Sequence, residues 1–178
     1  MKTVEPRVRR LFFAALPDRE TRAGLATVLR ALPDGIGRPV AVENLHMTLV
    51  FVGAVNERCA YCVRDRADQV PRFHVDVSLD RLGCFREAGA LWLGPTATPQ
   101  RLLEMAGGLN LLLKHCGIAL DRDDFRPHVT LARKVYDVPA HDSFRPVVWR
   151  SSGFSLMESI SSPRGVRYRS VQYYGVPR

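Results

Sequence analysis

Residues 43–53 read ENLHMTLVFVG, an apolar run with a histidine and a threonine set into it. Side chains on a strand alternate faces with a period of two. That period puts His46 and Thr48 on one face, and Leu45, Met47, Leu49 and Phe51 on the other. The second face belongs to a core. One histidine beside a core is packing more often than chemistry, but the signature recurs. Residues 125–133 read FRPHVTLAR, so His128-Val129-Thr130-Leu131 repeats His46-Met47-Thr48-Leu49. Each copy closes a strand–helix–strand unit. Two such units can pack about a pseudo-twofold axis, with their His-x-Thr faces meeting across one groove. Packing alone is a poor explanation of a doubled four-residue signature, so function is the better reading of both copies.

The bulk properties set the frame. A chain of 178 residues suits one domain, or two small lobes sharing a core. Hydrophobic residues at 46% and charged residues at 25% are ordinary for a globular protein. No run approaches the roughly 18 apolar residues of a membrane span. The N-terminal MKTVEPRVRRLFFAALPDRE sets basic residues before an apolar patch, Leu11 to Leu16. That patch is shorter than the ~7–15 residues of a signal core, and charge follows at once. It reads as a first strand, and the expected location is the cytoplasm. The net charge of +8 favours polyanions through counterion release, which makes nucleic acid a reasonable partner.

Periodicity and breakers give the element order. Val8 to Leu16 reads as a strand, and Asp18 caps a helix running through Leu32. Residues 39–55 supply extended structure broken near Glu43–Asn44, and a helix follows from Glu57 to Val70. Phe73 to Leu79 alternates as a strand, and Gly83–Phe85 with Ala90–Gly94 reads as a strand pair. Pro99 starts a long helix through His115. Phe125 to Val135 is a strand, and Val147–Leu156 with Val166–Gly175 forms a closing hairpin around SSPRG. Strands and helices mix without strict βαβ alternation, which points to the α+β class. Of the four cysteines, Cys59 and Cys62 form a CxxC inside the second expected helix, and Cys84 and Cys116 are isolated. A redox motif or zinc site needs a context that is missing here, so all four are read as ordinary half-buried cysteines.

The two His-x-Thr-Leu motifs resemble the signatures of the 2H phosphoesterase superfamily, most closely its RNA 2′,3′-cyclic phosphodiesterase branch, also called 2′-5′ RNA ligases. RLFFAALPD, GALWLG and the closing SSPRGVRYRSV add to the likeness, which covers nearly the whole chain. The resemblance implies residues 1–178 as a single bilobal α+β domain. Two antiparallel sheets would face a central cleft with helices outside.

The chemistry can be argued from the residues. Histidine titrates near pH 6.5, so one imidazole can be neutral while its partner is protonated, as general acid–base catalysis requires. The hydroxyls of Thr48 and Thr130 can donate to nonbridging phosphoryl oxygens. Imidazoles on opposite sides of one phosphorus suit in-line displacement. A strained cyclic phosphate whose leaving group is a sugar hydroxyl profits from an acid. The expectation is therefore hydrolysis of RNA 2′,3′-cyclic phosphate ends without metal or cofactor. The resemblance implies that His46 is the acid, that His128 helps activate water, and that a 2′-phosphate end is formed. The same groups would also carry a reversible ligation that joins a cyclic phosphate end to a 5′-hydroxyl in a 2′-5′ linkage. The resemblance also carries Arg133 to the phosphate, although strand parity puts it opposite Thr130, so a bend is required.

Phe125 suits core packing better than base stacking, Arg126 a backbone contact or a solvated face equally, and Arg164, Arg167 and Arg169 a surface role. His74, His115 and His141 are assigned no chemistry. A monomer is expected, since no spare amphipathic element stands out. The rival readings are a 2H esterase for small cyclic nucleotides or ADP-ribose cyclic phosphates, a non-catalytic RNA-binding module, and a thiol or metal protein built on CAYC.

Overall fold

A computed structural model of the chain describes residues 8–119, 125–140, 144–163 and 165–176. In chain order the elements are β1 (Arg9–Ala15), α1 (Arg19–Arg30), β2 (Arg38–Pro39), β3 (Met47–Val55) and α2 (Glu57–Arg66). Then come β4 (Val75–Leu79), β5 (Arg81–Phe85), β6 (Ala90–Gly94), α3 (Gln100–His115) and β7 (Val129–Arg133). The chain closes with β8 (Val147–Ser151), β9 (Gly153–Ser162) and β10 (Gly165–Gly175). Helix starts follow local chemistry. Asp18 accepts from the Thr21 amide at 2.7 Å, and Asn56 accepts from the Cys59 amide at 2.9 Å. Pro99 stands just before α3, where a missing N–H costs nothing.

The α+β class and the two antiparallel sheets are as expected, and the sheets are unequal. The larger runs β10-β9-β1-β3-β7-β6-β5 with β2 also on β7, and the smaller is β4-β8. The larger sheet is two four-stranded halves. β10, β9, β1 and β3 make one, and β7, β6, β5 and β2 make the other. The halves join where β3 meets β7, through the registered pair Met47 and Val129. Strand β1 shows how the faces divide. Leu11, Phe13 and Ala15 enter the main core, which also takes Val77 and Trp149 of the small sheet and Leu102, Met105 and Leu109 of α3. Phe12 and Ala14 turn to the other face and pack with Met157 and Tyr168.

Strict alternation fails within both motif strands, at the same motif position. In β3, Thr48 pairs Ala14 and Val50 pairs Phe13, which leaves Leu49 as an extra residue. In β7, Thr130 pairs Trp92 and Ala132 pairs Leu91, which leaves Leu131 extra. An extra residue is a β-bulge, and it resets which face follows. Leu49 and Val50 are both buried, as are Leu131 and Ala132. Phe51, placed by simple parity with the core, is instead 60% exposed.

Two other expectations are corrected. Val147–Leu156 is two strands rather than one: β8 pairs β4 in the small sheet, and β9 pairs β1 in the large one. The chain changes sheets at Gly153, whose φ is +144°. A Cβ there would lie 2.1 Å from the Tyr174 carbonyl oxygen, so only glycine fits. The cysteines also differ from their reading. Cys62 of α2 and Cys116, just past α3, form a disulfide with a Cα–Cα separation of 5.9 Å, and Cys59 and Cys84 are free thiols. The pairing was hidden because it depends on α2 lying beside α3, which no local pattern encodes. Arg164 and His141 lie outside the described residues.

The first half is also tied by charge. Glu158 of β9, nearly buried, receives Arg9 of β1 at 3.0 Å and Arg169 of β10 on its other oxygen. The Arg9 hydrogen bond first, and then Arg169, hold its carboxyl down at about 2. A depressed carboxylate contributes stability that is complete above its unfolded value of 4.5 and is lost as pH falls toward 2. Glu158→Gln is expected to cost on the order of 2 kcal/mol at pH 7, with the penalty shrinking as pH falls below 4.5 and gone only below about 2. Urea unfolding of both proteins across that range measures it. Reducing Cys62–Cys116 is expected to cost ~2–4 kcal/mol by releasing a long loop. Melting with and without reductant checks this, and Cys62→Ser should abolish the difference.

Candidate active site

His46 stands immediately before β3 and His128 immediately before β7. Met47 pairs Val129 in antiparallel fashion, so residues on either side of the joint cross over. His46 falls toward Thr130, and Thr48 toward His128. The two motifs therefore meet at the junction of the two half-sheets, on the face away from the main core.

Each imidazole is held the same way. His46 Nδ1 lies 2.7 Å from the Asn44 carbonyl oxygen, and His128 Nδ1 lies 2.7 Å from that of Arg126. A carbonyl only accepts, so Nδ1–H donates in both rings, and the neutral tautomer leaves a lone pair on Nε2. His46 Nε2 is 3.1 Å from Thr48 Oγ1, so the threonine hydroxyl donates to it. Aromatic rings wall both imidazoles. Phe12 and Tyr168 lie 5.0 and 4.8 Å from the His46 ring, and Phe85 and Trp92 lie 4.9 and 6.3 Å from the His128 ring. Burial among these groups is the main reason that both imidazoles titrate below 6.5, although the carbonyl bonds act in the opposite sense. The positive charge of Arg133 pushes both the same way, and His128 adds to the effect on His46.

Arg133 is where the bulge matters. Parity placed it opposite Thr130, but the extra Leu131 turns Ala132 into the core and Arg133 outward. The bend that the sequence reading required is present, and the guanidinium acts electrostatically on both imidazoles. Thus His46, Thr48, His128, Thr130 and Arg133 gather in one region. Phe125 packs against the main core, and Arg169 is engaged by Glu158. His74 is exposed ahead of β4, and His115 ends α3 with Nδ1 on the Leu111 carbonyl. Sequence reasoning missed Phe12, Tyr168, Phe85 and Trp92. Phe12 had a signal, since it alternates with Leu11 and Phe13 in an all-apolar strand that must present one apolar residue to the far face. The other three depend on strand neighbours. Among the described residues, no three His, Cys, Asp or Glu side chains are grouped so as to hold a metal ion. No helix among them is long and apolar enough to cross a membrane.

Residues 17–158 match the family model of the 2′-5′ RNA ligase superfamily. The chain belongs to that superfamily. Among its relatives, the RNA 2′,3′-cyclic phosphodiesterase of Escherichia coli is 31% identical over 126 residues, 70% of this chain and 72% of that protein. The RNA 2′,3′-cyclic phosphodiesterase of Archaeoglobus fulgidus is 29% identical over 178 residues, 93% of this chain and 99% of that one. The crystal structure of Escherichia coli LigT complexed with 3′-AMP superposes with a TM-score of 0.87 at 26% identity, covering 97% of this chain and all of the other. TT0787 of Thermus thermophilus superposes with a TM-score of 0.80 at 25% identity, covering 94% and 97%. The fold implied by the doubled motif is the fold of these proteins.

The geometry around Arg133 makes a direct prediction. Nuclear magnetic resonance titration of the free protein is expected to give midpoints below 6.5 for both His46 and His128. Arg133→Ala is expected to raise both midpoints. A change at only one ring, or at neither, would place the guanidinium elsewhere.

Proposed function

We propose that this protein hydrolyses RNA 2′,3′-cyclic phosphate ends to 2′-phosphate ends, without a metal ion. The observation that carries the reading is the matched pair of imidazoles at the junction of the half-sheets. Each is tethered through Nδ1 and each leaves Nε2 for proton transfer. His46 is the acid that protonates the departing O3′. His128 takes the proton of the attacking water. Thr48 and Thr130 donate to the nonbridging oxygens, and Arg133 balances their charge. Thr48 gives up its bond to His46 when substrate enters. With a 5′-hydroxyl in place of the attacking water, the same groups open the cyclic phosphate to a 2′-5′ linkage, and cleavage of that linkage is the reverse of this step.

The substrate assignment rests on the named activity of the relatives and on the net charge of +8, which favours a polyanion. One chain carries both His-Thr pairs, so a monomer completes the site. The proposed location is the cytoplasm, where the Cys62–Cys116 pair is expected as two thiols.

The test is a short RNA with a 2′,3′-cyclic phosphate end, incubated with the protein in EDTA, with the product identified by its end chemistry. A 2′-phosphate is expected. His46→Ala and His128→Ala should each lower kcat by ~10²–10⁴. Full activity in either variant would exclude the two-histidine mechanism, and rescue by a divalent ion after EDTA would exclude the metal-free one. The reaction needs one protonated and one neutral imidazole. Both titrate low, so kcat/KM should follow a bell whose maximum lies on the acid side of pH 6.5.

A further inference from the structure

The two halves of the site are not equivalent where they flank the threonines. Thr48 has Ala14 as its partner on β1, whereas Thr130 has Trp92 as its partner on β6. The indole of Trp92 lies over the neighbouring backbone, because two glycines leave room for it. A Cβ at Gly83 would come within 2.1 Å of its six-membered ring, and one at Gly94 within 3.0 Å. The indole N–H has no hydrogen-bond partner among the described residues, so packing alone orients the ring. Phe85 lies 5.4 Å away, ring to ring, and the Arg81 guanidinium sits 5.3 Å from the indole centroid. Trp92 and Phe85 are half-buried and Arg81 is exposed. The result is a half-buried aromatic platform with the Arg81 guanidinium over the indole, beginning at the His128 imidazole and running across β6 to the edge strand β5.

Hydrolysis of a terminal cyclic phosphate puts only water on the His128 side, which makes no use of such a platform. We propose that Trp92, Phe85 and Arg81 form a subsite for a second nucleoside, the one that carries the 5′-hydroxyl. This rests on the assignment of His128 as the group next to the attacking oxygen. The base stacks on the aromatic platform beside Arg81, as unpaired bases do on aromatic rings and guanidinium planes. Its 5′-hydroxyl then occupies the position of the attacking water. The hydroxyl oxygen bonds to phosphorus as the P–O3′ bond breaks. His128 takes the hydroxyl proton, and His46 gives its own to O3′. The product is a 2′-5′ phosphodiester with a free 3′-hydroxyl. Cleavage of that linkage is the same step reversed and releases a nucleoside with a 5′-hydroxyl.

Two substrates separate the subsite from the basic reaction. Adenosine 2′,3′-cyclic phosphate lacks the second nucleoside, and 2′-5′-linked adenylyl adenosine has it. Arg81→Ala and Trp92→Leu are expected to raise KM for the dinucleotide roughly tenfold or more, the scale of one lost stacking partner. The effect on the cyclic mononucleotide should be several-fold smaller, and Trp92→Phe should restore most of the dinucleotide affinity. Equal losses on both substrates would show that Trp92 only shapes His128, and would overturn the proposal.

A binding arm needs no turnover. The protein has two tryptophans, and the other, Trp149, is 1% exposed. Saturating adenosine should quench the emission of the wild type and leave that of Trp92→Phe unchanged. No quenching in the wild type overturns the subsite. Quenching without turnover of either substrate would instead count against the hydrolytic reading and leave the subsite standing.

Discussion

An extra residue at the same motif position of both motif strands governs the arrangement of the site. Strands β3 and β7 must present His and Thr to one face while burying their apolar residues on the other. A regular strand would keep alternating and would put Phe51 and Arg133 into the core. The bulges at Leu49 and Leu131 bury two successive residues instead, which turns the next side chain outward. Each bulge thereby turns one further side chain out of the core, Phe51 in β3 and Arg133 in β7. The same motif position is bulged in both strands, and the strands meet through Met47 and Val129. The tethering of both imidazoles to carbonyls two residues upstream follows from the same matched approach of the chain.

The symmetry of that frame is filled asymmetrically. His46 is enclosed by Phe12 from β1 and Tyr168 from β10, and its threonine hydroxyl turns back on it. His128 is enclosed by Phe85 and Trp92 from β5 and β6, beside Arg81. Two imidazoles with one backbone geometry thus occupy different surroundings. Acid–base catalysis on an unsymmetrical phosphodiester calls for such a difference, because the entering and leaving groups differ.

Much of this was legible in the sequence. The doubled His-x-Thr-Leu named the two strands, the shared face and the meeting of the halves, because a two-residue period and a repeated signature are local properties. Helix α1 was legible through Asp18, and α3 through Pro99. The bulges were not legible, since an extra residue is defined only against a partner strand, here β1 or β6. Arg133 was misplaced by parity for that reason. The break at Gly153 was hidden because the close approach that demands glycine comes from Tyr174, far along the chain. The Cys62–Cys116 bridge and the aromatic walls likewise depend on which elements become neighbours.

The Nδ1 tethers limit how the site can be readied for another cycle. A ring fixed by its inner nitrogen cannot flip to exchange protons from behind. In the proposed reaction each turnover leaves His46 without its proton and His128 with an extra one. Both can be reset only through Nε2, the atom that faces the phosphate. While the product occupies the site, that route is shut. Product departure and proton re-equilibration with solvent must therefore occur in that order, and a slowly leaving 2′-phosphate would hold the enzyme in its spent protonation state. The rigidity that aligns the two imidazoles also makes the unblocking of one atom on each ring a condition for the next turnover.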